Sequence, residues 1–201
     1  MANILSDYST HNSETQKLLN LCGTLNLLPP IHQKLVAEIV LLRLFSLYEN
    51  FIASVTLKLV CGATYADGSR PALLAHARSS QSARALLQNH LRTRPRYTLM
   101  WSKASEIKEN VRHAIDPTDN LIKVVDRNGS FIDELRRVRN RIAHNNTQAR
   151  ANYRDVVRRH YGAYLNHVTP GMLLLNSRTN PTLIEQYIRM ERIFVKDIVK
   201  V

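Results

Sequence analysis

Residues 139–144 read RNRIAH: an arginine, an adjoining asparagine, and a histidine five positions after the arginine. Side chains of these types are what metal-independent cleavage of RNA requires. The 2′-OH is already tethered beside its phosphate, so a protein must add only proton transfer and charge stabilisation. An imidazole titrates in water at about pH 6.5, so His144 can take the proton of the 2′-OH or give one to the leaving 5′-oxygen. Arg139 would grip the phosphate with its planar guanidinium, and Asn140 would fix the imidazole tautomer or touch the phosphate. With twenty arginines and eight histidines, RxxxxH is expected about 0.8 times by chance; adding Asn after the Arg lowers this to about 0.06. The structural alternative is that Arg139 is one more surface cation and His144 caps carbonyls at a helix C-terminus, where positive charge is favoured.

The charge pattern points the same way. The chain of 201 residues carries a net +12, concentrated in two blocks of +7 at 68–105 and 135–160, while 1–67 sums to −1, 106–134 to −3 and 161–201 to +2. The first block holds Arg70, Arg78, Arg84, Arg92, Arg94, Arg96 and Lys103; the second holds Arg136, Arg137, Arg139, Arg141, Arg150, Arg154, Arg158 and Arg159 against a single acid, Asp155. Such runs are often only a solvated face. Here the excess of Arg over Lys, twenty to eight, favours phosphate, which a guanidinium binds bidentately. Arg136, Arg137, Arg141, Arg150, Arg154 and Arg158 are therefore the expected RNA-binding residues. Tyr153, Tyr161 and Tyr164, interleaved with them, would stack on splayed bases or pack in a core.

Other chemistry lacks support. His160 and His167 are seven apart with no nearby carboxylate expected, a poor metal site, and His76, His90 and His113 stand alone; no metal or cofactor is expected. There is no GxSxG and no P-loop, and Cys61 closes an apolar run where a buried thiol is the ordinary occupant. Two cysteines, Cys22 and Cys61, allow at most one disulfide and fit a reducing cytoplasm. The N-terminus reads as no signal peptide, and the most apolar stretch is broken by Arg43 and Glu49, so no membrane contact is expected.

The elements that must position the RNRIAH run read as helices nearly throughout. The length suits a single domain spanning 1–201, and six glycines weigh against turn-dense β architectures. A first helix is expected over 12–27. Pro29 and Pro30 then open a long central helix over 31–60, apolar enough to be buried on most sides. Helices follow over 71–90, with Pro71 in the first turn, and over 99–115, separated by a break at RTRPRY, 92–97. Residues 116–129 are turn material around LIKVV, which would be extended. Ser130 reads as the N-cap of the next helix, with Asp133 and Glu134 near its positive end and Phe131, Leu135, Val138 and Ile142 as its apolar stripe. On an ideal helix Arg139 and His144 lie about 140° apart and would not converge unaided, so the helix must distort or end near Ala143, where Asn145 and Asn146 suit a left-handed cap. A last helix is expected over 181–201.

On Arg139, Asn140 and His144, and on the run AEIVLLRLFSLYENFIASV at 37–55 with Tyr48, Glu49 and Phe51, the sequence resembles the HEPN domain, nearest the bacterial RiboL-PSP-HEPN and MAE-type subgroups. The likeness covers about 31–160. It implies an all-α, HEPN-like bundle with a long central helix, acting as a homodimer, in which Glu49 would orient Arg139. It also implies an endoribonuclease that leaves a 2′,3′-cyclic phosphate and a 5′-OH and serves as a toxin or antiviral-defence effector. The competing implication is a catalytically silent HEPN module that binds RNA or nucleotides, or dimerises for a partner. The likeness implies one form of control: in some members the motif continues RxxxxHxY, and a partner nucleotidyltransferase silences the toxin by attaching AMP to that tyrosine. Asn146 stands at that position here, so restraint would come instead from an acidic antitoxin or sensor covering the basic face.

Overall fold

The computed structural model describes residues 3–89, 97–176 and 180–201. Among them the regular structure is helical: α1 (Ile4–Gly23), a 3-10 turn (Leu25–Leu27), α2 (Pro30–Val60), α3 (Ser80–Asn89), α4 (Ala104–Val111), α5 (Asn120–Arg127), α6 (Gly129–Ala143), α7 (Thr147–Tyr161), α8 (Pro170–Leu174) and α9 (Leu183–Val199). The only β pairing among them is one isolated bridge, Leu73 to Ile115. The chain is all-α. None of the helices among the described residues is long and apolar enough to cross a membrane. The residues fall into two compact units, one from 1–12, 48–132 and 193–201, the other from 13–47 and 133–192.

In the first unit, Tyr48, Ile52, Val55 and Leu59 repeat at helical spacing along α2 and are buried, with the Tyr48 ring 5.8 Å from that of Phe194. Asp119 ties this unit together. Its buried carboxylate accepts from the Tyr65 hydroxyl (2.5 Å), from the Ala72 amide (2.9 Å) and, as N-cap of α5, from the Leu121 amide (2.9 Å). That cap is why LIKVV is helical and not extended: Leu121, Ile122, Val124 and Val125 follow it as the buried face of α5. Residues 71–79 are not helical either. Their amides bond distant carbonyls, Leu74 and Ala75 to Ala114 and Ala77 to Val60, in place of an i−4 ladder. Helix α3 starts only at Ser80, after reciprocal bonds between Ser79 and Ser82. The expected 99–115 helix contracts to α4, whose Asn110 side chain donates to the Met100 carbonyl at 2.6 Å.

The second unit carries the RNRIAH run. Ser130 is not an N-cap: α6 begins at Gly129, and the Ile132 amide bonds the Asn128 carbonyl, so Asn128 closes α5 and starts α6. Asp133 and Glu134 thus sit beyond the first turn and are used by side chains instead. Phe131, Leu135 and Val138 are buried and Ile142 half-buried, as the stripe requires. Gly171 presses α8 onto α2, since a Cβ there would lie 2.7 Å from Lys34 Cβ and 2.8 Å from its carbonyl oxygen. The N-terminal half of α2 departs from the expectation of burial on most sides: Ile31, Leu35 and Ile39, one turn apart, are more than half exposed. Helix α1 begins at Ile4 rather than 12, after Asn3 Oδ1 accepts from the Leu5 amide at 2.8 Å, and α9 occupies most of the expected last helix.

Candidate nucleic-acid interface

Helix α6 ends at Ala143, and the His144 amide still bonds the Asn140 carbonyl at 2.9 Å. The chain therefore holds helical geometry to His144 and then turns. Asn146 makes that turn as the N-cap of α7, in the β region (φ −95, ψ 166), its side chain accepting from the Ala149 amide at 2.8 Å. The break falls where the sequence places it, but the asparagine starts the next helix rather than closing the last in a left-handed cap.

Because α6 stays regular, Arg139 and His144 remain about 140° apart around its axis. Arg139 is half-buried, its guanidinium carbon 5.5 Å from the Phe45 ring centroid, and its Nη1 donates to Asn140 Oδ1 at 3.1 Å. The fold thus brings Arg139 and Asn140 together, while the exposed His144 makes no hydrogen bond to either side chain. Glu49 belongs to the first unit, and Arg139, Asn140 and His144 to the second. Arg141, three residues before His144, lies on the histidine's own side of the helix, about 60° away.

The arginines of 135–160 are divided. Arg136 and Arg137 bond Asp133 at 2.7 and 2.8 Å, Arg137 also reaches Asp155 at 3.1 Å, and Arg158 stands 4.0 Å from Asp155. Arg159 bonds Glu134, a buried carboxylate that also bonds His160 Nε2 at 2.8 Å and accepts from the Tyr187 hydroxyl at 2.7 Å. Burial opposes the charge on Glu134, but the bonds from His160 and Tyr187 and the charges of His160 and Arg159 outweigh it, holding the carboxyl below its ordinary range. His160 therefore does have a carboxylate neighbour, supplied by the fold from 26 residues earlier. With Glu134 it forms a structural ion-pair network; no group of three His, Cys, Asp or Glu placed to hold a metal occurs among the described residues.

Arg141, Arg150 and Arg154 have no carboxylate partner among the described residues. Asn145 Oδ1 accepts from Arg141 Nη1 at 3.2 Å and from Arg150 Nε and Nη2 at 3.1 and 2.9 Å. Arg154 lies over the Tyr164 ring, 5.2 Å from its centroid. These three arginines line a cavity of about 240 Å³ with Tyr153, Tyr164, Asn166 and Val168. Tyr153 is buried, which pushes its phenol well above the ordinary range. Gly162 (φ 76) ends α7 in the left-handed conformation and turns the chain back so that Tyr164, Asn166 and Val168 form the far wall. Glu38, the acid that bears on Tyr153, is held by the Gly171 amide at 2.8 Å.

Sequence reasoning assigned Asn145 to a helix cap, not to this cluster, and did not single out Asn166 or Val168. The first had a signal, since Arg141 and Asn145 are four apart, the spacing at which side chains on successive helical turns meet. Of the first basic block, Arg70, Arg78 and Arg84 are exposed, Lys103 lies 3.5 Å from Glu106, and Arg92, Arg94 and Arg96, with His90 and most of the expected break at 92–97, lie outside the described residues. Both cysteines are free, Cys22 with its thiol pushed up to about 12 by burial. No family model matches the chain, and neither a curated protein nor a solved structure matches it.

Proposed function

We propose that the chain is a metal-independent endoribonuclease of the HEPN kind, working as a homodimer in the cytoplasm. One observation carries this reading: His144 is exposed at the end of α6, one residue before the asparagine whose amide oxygen gathers Arg141 and Arg150. A group suited to proton transfer thus stands one residue from the amide that holds two guanidinium groups, Arg141 of α6 and Arg150 of α7. In the reaction the 2′-oxygen bonds to phosphorus as its proton passes to an imidazole. The bond from phosphorus to the 5′-oxygen breaks as that oxygen receives a proton, leaving a 2′,3′-cyclic phosphate and a 5′-OH. Each chain brings one well-placed histidine, so a second copy supplies the other half of the proton transfer. The cellular role is that of a toxin or antiviral-defence effector, restrained by an acidic partner that covers the basic face.

The test is incubation with RNA in excess EDTA. Wild type should yield 2′,3′-cyclic ends and His144→Ala should not; loss of activity with chelator and its rescue by magnesium would overturn the mechanism. The silent-module reading has one observation in its favour, the half-burial of Arg139 against Phe45 and Asn140, which gives the motif arginine a packing role. It predicts RNA binding without cleavage by the wild-type chain.

A further inference from the structure

The cavity at the turn between α6 and α7 is more selective than a basic face. Arg141, Arg150 and Arg154 converge on it, and its lining contains no carboxylate. Placing three guanidinium groups together is unfavourable unless something neutral holds them and something anionic joins them. The Asn145 amide oxygen does the first: it takes one N–H of Arg141 and two of Arg150, leaving the remaining donors of both forks for an anion. Arg154 has one face over the Tyr164 ring and is exposed, so its other face is available to an aromatic ring. Asn166 adds a donor and an acceptor at the rim. At about 240 Å³ the space is below the roughly 300–1,000 Å³ of pockets that engulf a drug-sized ligand. It fits a phosphate with part of one nucleoside, not an enclosed dinucleotide cofactor.

We infer that this cavity is a phosphate-ester subsite, in which Arg141 and Arg150 take the phosphate oxygens and Arg154 stacks on the attached base. In its choice of an RNA strand as occupant the inference rests on the ribonuclease reading; its chemistry is that of a nucleotide phosphate from either a strand or a free mononucleotide. The site anchors the nucleotide beside the one at His144 and fixes where the strand is cut.

Binding of a fluorescent, fully 2′-O-methylated oligoribonucleotide, which cannot be cleaved by 2′-OH attack, tests this by anisotropy across a salt series. Arg141→Ala and Arg150→Ala should each weaken binding about tenfold and reduce the salt slope by about one. Arg154→Lys, which keeps the charge but loses the planar face, should weaken it several-fold. Arg189→Ala, an exposed arginine on α9, should change it by less than about twofold. Binding of Arg141→Ala and Arg150→Ala within twofold of wild type would overturn the assignment. Displacement of the oligonucleotide by AMP identifies the occupant as a monoester; failure of AMP to displace it, with the arginine variants still impaired, identifies an internucleotide phosphate. Because the probe is not cleavable, a chain that binds as expected but cuts no RNA refutes the ribonuclease reading and leaves the subsite standing.

Discussion

The arginines of α6 and α7 make two regions of opposite character from one composition. Toward the start of α6, Arg136, Arg137, Arg158 and Arg159 face Asp133, Glu134 and Asp155. At the turn, Arg141, Arg150 and Arg154 face an amide oxygen and a phenol ring. The +7 counted along 135–160 is therefore not the charge a ligand meets, because two of the neutralising acids, Asp133 and Glu134, lie just outside that stretch and the helices bring them back. Ion-paired arginines organise the fold; arginines held by neutral groups keep their affinity for an anion.

The sharpest way to test the open region is to remove His144. His144→Ala should lower cleavage by about 10²–10⁴, as loss of general acid–base catalysis does, while leaving binding of a non-cleavable RNA unchanged. A matched loss of both would move His144 from catalysis to binding. Arg139→Ala sharpens the contrast further. A fall in thermal stability alongside activity is expected, since the side chain packs on Phe45 and bonds Asn140; a fall in activity alone, read against a melting curve, would return the motif arginine to the reaction.

The paired region breaks through Glu134. Glu134→Ala deprives His160, Tyr187 and Arg159 of their acceptor and should cost about 2–4 kcal/mol of stability, toward the lower end because Arg159 remains largely solvated, with RNA affinity of the folded chain changed by no more than about twofold at low salt. Its folded-state pKa is depressed, so its stabilisation is present above the unfolded value of roughly 4.3 and is lost as pH falls through the folded value. Thermal melts should show wild type losing its advantage over Glu134→Gln below about pH 4. Glu191 behaves oppositely. It is fully buried and burial raises its carboxyl pKa well above the ordinary range, so stability is full below roughly 4.3 and falls as pH rises through the folded value. Glu191→Gln should therefore be relatively more stable at pH 8 than at pH 5, and an identical difference at both would contradict a protonated Glu191.

What could be read in the sequence and what could not divides along physical lines. Helix class, the span of α2 and the stripe through Phe131, Leu135 and Val138 were legible because a 3.6-residue period is a local property. The break after Ala143 was legible for the same reason, since asparagines compete with the backbone for hydrogen bonds. Residues 71–79 and LIKVV were misread because tertiary partners decide them: the carbonyls of Val60 and Ala114 for the one, the Asp119 cap for the other. At the site, the arginines were legible as a group, but not their division, which depends on acids and an asparagine that only the folded hairpin brings near them.

The smallest expected effect bears most directly on that division. Asp155 is largely exposed, its Oδ2 at 3.1 Å from Arg137 and its Oδ1 at 4.0 Å from Arg158. Exposed pairs contribute about 0–1 kcal/mol, so Asp155→Asn should shift the melting temperature only slightly. Arg137 keeps Asp133 as a partner at 2.8 Å, whereas Arg158 loses its nearest carboxylate. One guanidinium is thereby left without a carboxylate partner. If the strand enters at the turn and merely passes the paired region, affinity for the non-cleavable RNA should rise about twofold at low salt and return to the wild-type value near physiological ionic strength, where a Debye length of about 8 Å screens a charge not in direct contact. A tenfold gain that survives added salt, with the salt slope steeper by about one, would mean that Arg158 contacts phosphate directly. The two regions would then be one binding surface, half of it masked by its own acids.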